Sequence, residues 1–220
     1  MAFSLISHTA AGSTNGGVSV VTGGITTTGA NLIVVSVSYY ATVATLTDSK
    51  SNTWTSLSTF TGSSFYTVLY YCYAPTVGAG HTFTFSGVTN YPVISVAAFS
   101  GAASSPFDQQ NGSSTLSTGS ITPTVANELV VSGLTCSGSV SSINAGMTIS
   151  DSLGYASGQS VGGGLAYIIQ TAASAISPTW TATGSATASG IASFKSGAAA
   201  ATPLPPSLFV YQAINRSNTF

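Results

Sequence analysis

Along this chain, apolar and polar positions alternate with a period of two far more often than with the period of a helix. In VLYYCY (68–73), Val68, Tyr70 and Cys72 fall on one side and Leu69, Tyr71 and Tyr73 on the other, as successive strand side chains must. In HTFTF, His81, Phe83 and Phe85 share a face and the threonines take the opposite one. Runs rich in Val, Ile, Thr, Tyr and Phe, bounded by Gly, Ser, Asn and Pro, predict strands. In the first half they cover 17–23, 30–40, 52–60, 65–74, 81–87 and 91–101. In the second half they cover 114–123, 126–136, 147–152, 163–172, 178–184 and 189–197. No segment shows a capped apolar period of 3.6. The expected class is all-β.

The strands are written twice. ANLIVVS at 30–36 returns as ANELVVS at 126–132, an offset of 96 that also relates Leu69 and Tyr71 to Leu165 and Tyr167. HTFTFSG is matched by PTWTATG, and VAAFSGA by ASFKSGA, which aligns Phe99 with Phe194. Asp48-Ser49 and Asp151-Ser152 read as corresponding turns between strands. Element order is the same in both halves, which favours duplication of one unit over chance similarity of β-rich text.

A sheet with one apolar face needs a partner layer. Two related halves packed face to face predict a two-sheet antiparallel β-sandwich with sheets ~10 Å apart, jelly-roll-like in its handling of strand edges. The sandwich domain is placed at 1–197, with pseudo-repeats at about 28–102 and 124–198. Between them, 101–125 reads as loop-rich, with a folded turn at Pro106, Phe107 and Asp108. Residues 198–220 form an Ala/Pro linker and a C-terminal arm. Prolines stiffen the linker. The arm then exposes Leu204, Leu208, Phe209, Val210, Tyr211, Ile214 and Phe220. Such an apolar strand needs cover, either from its own sandwich or by adding to a sheet of a neighbouring subunit.

Charge narrows the functional classes. The chain has three Lys+Arg and four Asp+Glu in 220 residues, yet it is 44% hydrophobic. Disorder requires low hydrophobicity, and a membrane helix requires ~20 apolar residues in a row; the run 32–46 is shorter and carries Ser, Thr and Tyr. The first basic residue is Lys50, so no basic leader precedes an apolar core, and synthesis in a cytoplasm without Sec export is expected. An outer-membrane barrel would also alternate and Phe220 would suit its end, but the missing leader points away from it. Wetting of the surface falls to Ser, Thr, Asn, Gln and Gly. With so few cations there is no footprint for nucleic acid.

Candidate chemistry is sparse. Asp48, Asp108, Glu128 and Asp151 are the carboxylates, and Asp48 and Asp151 read as turn residues. His8 or His81 could formally serve a Ser-His-Asp site, but no GxSxG elbow accompanies them. Cys72, His81 and Cys136 lack zinc-ligand spacing, and no cofactor or metal is expected. Cys72 reads as a buried thiol, and whether it pairs with Cys136 is open at this stage. Tyr39, Tyr40, Tyr91 and Tyr155 are candidate glycan contacts, since aromatic faces stack on sugar rings. Trp54 and Trp180 read as core.

The segments ANLIVV, DSKSNTW and FSGAASSPFDQ, within about 1–197, resemble a class of uncharacterised β-rich modules of tailed-phage virion proteins and bacterial surface proteins. The resemblance implies a jelly-roll-like sandwich used for assembly or adhesion and transfers no functional residue. The expectation is a non-enzymatic virion protein, made in the host cytoplasm, that decorates a capsid. Its partners would be capsid or other virion proteins and further copies of itself, with no nucleic acid or membrane partner. The alternative is a carbohydrate-binding adhesin module of a virion fibre or bacterial surface.

Overall fold

The computed structural model describes residues 1–13, 17–40, 45–87, 90–154, 161–184 and 187–197. Fifteen strands and no helix occur among them. In the first half these are β1 (Ser4–Gly12), β2 (Ser19–Val21), β3 (Leu32–Tyr40), β4 (Thr45–Asp48), β5 (Thr55–Gly62), β6 (Phe65–Tyr73), β7 (Phe83–Ser86) and β8 (Asn90–Ser100). In the second they are β9 (Ala102–Ser113), β10 (Glu128–Cys136), β11 (Val140–Ile143), β12 (Thr148–Leu153), β13 (Gly162–Gln170), β14 (Trp180–Ala182) and β15 (Thr187–Ser196).

The two halves share one topology. The first builds a five-stranded sheet, β1-β8-β3-β6-β5, and the second builds β9-β15-β10-β13-β12. Each also has a small outer sheet. In the first half it is β2-β7-β4. In the second it is β11-β14, extended by the bridges Ser117↔Thr179 and Ile121↔Ile176. All ladders are antiparallel.

The β-sandwich expectation therefore holds, with more layers than two. Each half is a sandwich of its own, and the two five-stranded sheets pack back to back at the centre. Three apolar clusters follow from that stacking. Ile33, Val35, Val37, Phe83 and Phe85 fill the first half. Val130, Leu134, Trp180 and Ile191 fill the second. Leu32, Val34, Phe99, Leu129, Val131 and Phe194 fill the space between. The central strands are thus covered on both faces, which explains why LIVVSVSY is buried almost throughout and reads as a continuous apolar run.

Opposite orders of the two central sheets place β1 against β12, β3 against β10 and β5 against β9. This is the arrangement of a two-fold dimer written into one chain. One end of the interface is apolar. The other is made of hydroxyls: Ser38 donates to the Leu134 carbonyl (2.9 Å), and Thr135 to the Tyr66 carbonyl (2.7 Å). The Thr67 hydroxyl lies 2.7 Å from both the Ala188 carbonyl and Thr135 Oγ1. Each such bond contributes roughly 1 kcal/mol net. Truncating Phe99 or Phe194 would cost about 3–5 kcal/mol, so the apolar end dominates association of the halves.

Several expected boundaries move. The stretch 101–125 is not mainly loop: 102–113 forms β9, the counterpart of β1, and the strand expected over 114–123 reduces to two bridges. Pro106 is accommodated because β9 is an edge strand whose register breaks between Phe107 and Ala102. The halves join at Gly101 alone, at φ +97, where a side chain would strike the Ala2 carbonyl. The duplicated unit is accordingly longer than 28–102, since it includes β1. Asp151 lies within β12, the counterpart of β5, so it does not share a turn with Asp48.

Candidate functional site

Asp48 ends β4, opposite Phe83 of β7, and His81 forms an antiparallel bridge with Ile25. Their side chains are fully buried, with His81 Nε2 2.9 Å from Asp48 Oδ1 and His81 Nδ1 3.0 Å from Thr27 Oγ1. Asp48 also accepts from Lys50 N–H (2.7 Å), Asn52 N–H (3.2 Å) and Trp54 Nε1–H (2.8 Å). The Phe83 ring stacks on the imidazole at 4.3 Å. The order Thr–His–Asp has the outline of a nucleophile, base and orienter. Yet Thr27 has no exposed surface, and its hydroxyl is engaged by the Gly78 N–H and carbonyl. What the arrangement does is tie the 25–30, 48–54 and 76–82 segments together.

A second polar cluster closes one end of the second half. Asp108 of β9 accepts from Lys195 Nζ (2.9 Å), Thr124 N–H (2.8 Å) and Thr124 Oγ1–H (2.9 Å). Glu128, fully buried at the start of β10, accepts from Val125 N–H (3.1 Å). Burial raises the Glu128 carboxyl, and the Asp108 charge adds to that. Burial acts the same way on Asp108, but the Lys195 ammonium and the Thr124 donors outweigh it and hold that carboxyl low. The pair therefore holds one ionised group and one easily protonated group, side by side.

The third cluster spans the halves. His8 of β1 lies 2.9 Å from Asp151 of β12, with the histidine 44% exposed. Burial raises the Asp151 carboxyl, and the His8 hydrogen bond works against it. No group of three or more His, Cys, Asp or Glu able to hold a metal occurs among the described residues.

On the opposite seam, where β5 and β6 meet β9, a cleft of about 360 Å³ opens. It is lined by Tyr71, Tyr73 and Phe107 together with Thr55, Ser104 and Ser105. Tyr71 and Phe107 are stacked at 6.0 Å and 12°, and both meet the edge of the buried Phe194. A depression of the same size near Gln170 is lined by Ala172, Ser174 and Ala175 and offers no ring.

Among the tyrosines singled out from sequence, Tyr39 is a correction. It is 7% exposed and stacked on Tyr66 at 5.1 Å, and burial pushes its hydroxyl up to about 12. Tyr40 is exposed and edge-on to Phe65. Tyr91 is half-buried at the start of β8, with its N–H bonded to the Gly17 carbonyl. Tyr155 lies outside the described residues, as do Leu204, Leu208, Phe209, Val210, Tyr211, Ile214 and Phe220. Trp180 is core, donating to Ser132 Oγ at 2.8 Å. Tyr71, Tyr73 and Phe107 were not legible as a site. Alternation set Tyr71 and Tyr73 on one face, but only the second half supplies the opposite wall.

Compared with protein-family models, with curated proteins and with solved structures, the chain matches none.

Proposed function

We propose that this chain is a non-enzymatic structural protein of a phage virion, decorating a capsid and bridging neighbouring subunits. The observation that carries this reading is β5. It pairs on one side only, with β6, and its sequence TSLSTFTG contains no charge and no proline. Edge strands of proteins that stay single are commonly guarded by charge, proline, a bulge or a covering segment. β5 has one such irregularity, between Ser56 and Thr59, where Gln110 Oε1 accepts from the Ser58 N–H. Free of charge and proline along its length, the strand suits strand addition by a neighbouring chain, and the C-terminal arm of another copy has the apolar, proline-led sequence to supply the added strand. The hydroxyl-rich, charge-poor surface supports the same reading, because it allows close apposition without like-charge repulsion. Nesting of the first strand with the eighth, the second with the seventh and the third with the sixth further supports a jelly-roll-like description of each half.

The test is fractionation of purified particles. The protein is expected in virions at high copy number, and a chain ending at Gly197 or carrying Ser56→Lys with Thr59→Lys is expected to bind particles at least tenfold more weakly. Absence of the protein from purified particles would end this reading.

A further inference from the structure

We infer that the seam cleft between β6 and β9 is a binding site for a neutral saccharide ring. Three observations lead there. First, the lining is uncharged: Thr55, Ser104 and Ser105 line the cleft together with Tyr71, Tyr73 and Phe107. Such a wall offers no opposite charge to a phosphate, a carboxylate or an ammonium group. It does match a polyol, whose hydroxyls both donate and accept, while aromatic faces cover the apolar C–H patches of a pyranose.

Second, the aromatic surface is pre-formed. Tyr71 and Phe107 are near-parallel and each packs edge-to-face with the buried Phe194, while Tyr73 is 36% exposed. A rigid aromatic surface loses little conformational entropy on binding.

Third, the pseudo-two-fold supplies an internal control. Strand pairing makes Leu5 the counterpart of Phe107, since Leu5 pairs with Phe99 of β8 and Phe107 with Phe194 of β15. The same pairing makes Ile169 the counterpart of Tyr73 and Tyr167 the counterpart of Tyr71. The other seam thus carries Leu5 and Ile169 where this one carries Phe107 and Tyr73, keeps a ring only at Tyr167, and has its strands bridged by the His8–Asp151 pair. Packing of the halves at that seam is satisfied with one ring of the three. Phe107 and Tyr73 go beyond what that packing requires.

The experiment titrates the full chain with maltotriose, cellotriose and lactose, followed by saturation-transfer NMR, with sialyl-lactose as the acidic comparison. Binding is expected for at least one neutral probe, with signal transfer from aromatic protons. Tyr73→Ala and the cleft-filling Ser105→Trp should each weaken it at least about tenfold, whereas Tyr40→Ala, at an exposed tyrosine elsewhere, should leave it unchanged. Silence with all three neutral probes, preference for the acidic one, or loss through Tyr40→Ala but not Tyr73→Ala would overturn the inference. None of these outcomes bears on particle association, so the site and the virion reading fail separately.

Discussion

Ser36 of β3 and Gly133 of β10 occupy the same position in their respective halves and meet each other across the central interface. Ser36 pairs with Leu69 and Ser95, and Gly133 with Leu165 and Gly190. A Cβ on Gly133 would strike the Ser36 hydroxyl. Residues near a two-fold axis face their own counterparts, so two identical side chains there must share one space. The chain resolves this by differing: serine on one side, glycine on the other.

The pair yields a double-mutant cycle. Gly133→Ser alone should destabilise by about 1–3 kcal/mol through overpacking. Ser36→Gly alone should cost about 1 kcal/mol as strand glycine, since the Ser36 hydroxyl has no hydrogen-bond partner to lose. The swapped double variant should recover at least half of the Gly133→Ser loss. Chemical denaturation checks this, and additive losses would mean that the two positions do not compete for space.

Asp48→Ala should be among the most damaging substitutions outside the apolar cores. It leaves His81, Trp54 Nε1–H and the Lys50 and Asn52 amides without their acceptor. Each buried donor left without its acceptor costs about 1–3 kcal/mol, and the several lost together should lower Tm by on the order of 10 °C for a chain of this size. A shift within ~2 °C in differential scanning calorimetry would show that the network is dispensable.

Glu128→Gln should stabilise the protein, and more so as pH rises. The folded carboxyl sits above its ordinary range, so the folded state holds that proton more tightly than the unfolded state does. Ionising Glu128 then costs stability, starting as pH rises past the unfolded value near about 4.3 and levelling off above the folded one. Glutamine keeps an acceptor for Val125 N–H and carries no charge. The difference in Tm between variant and parent should be near zero at about pH 4 and positive at pH 8. Asp108 has the opposite sign. It is held low, so its stabilisation is present above its ordinary range and fades as pH falls, in parent and variant alike. A difference that is flat with pH would refute the assignment to Glu128.

Both thiols should be unreactive in the native protein. Cys72 and Cys136 are free and buried. Burial, with the Asp48 charge added, pushes the Cys72 thiol up to about 11, and burial raises Cys136. Neither is appreciably thiolate at pH 8, and the thiolate is the reactive form. Ellman's reagent should label neither on the timescale of minutes, and both after denaturation. Rapid labelling of Cys136 in the folded chain would contradict its place in the second core.

Alternation in VLYYCY put Val68 and Tyr70 on one face and Leu69 and Tyr71 on the other, because strand geometry fixes opposite faces whatever surrounds them, but that both faces enter cores came only from the stacking of the halves. The pairing of Phe83 with Trp180 and of Phe99 with Phe194 was equally visible, and all four are buried in matching strands. The register of the repeat was less so. ANLIVV and ANELVV align by eye at 96, whereas the sheets make Leu32 the equivalent of Leu129. That one-residue slip exchanges every inward side chain for an outward one. β1 and β9 were missed because their text (SLISHTAAG, AASSPFDQQNGS) is poor in β-branched and aromatic residues and interrupted by small and polar ones.

By itself, then, the amino-acid order determined that this chain is all-β, that it was written twice, and which side chains share a face, since these depend on backbone periodicity and nearest neighbours. Tertiary structure alone decided that each half is a complete sandwich and that their five-stranded sheets meet back to back. It also decided that Tyr71, Tyr73 and Phe107 share a cleft while Tyr39 is sealed. The reason is that faces and edges acquire their identity from what is packed against them, and for this chain that partner is the other half, about a hundred residues away.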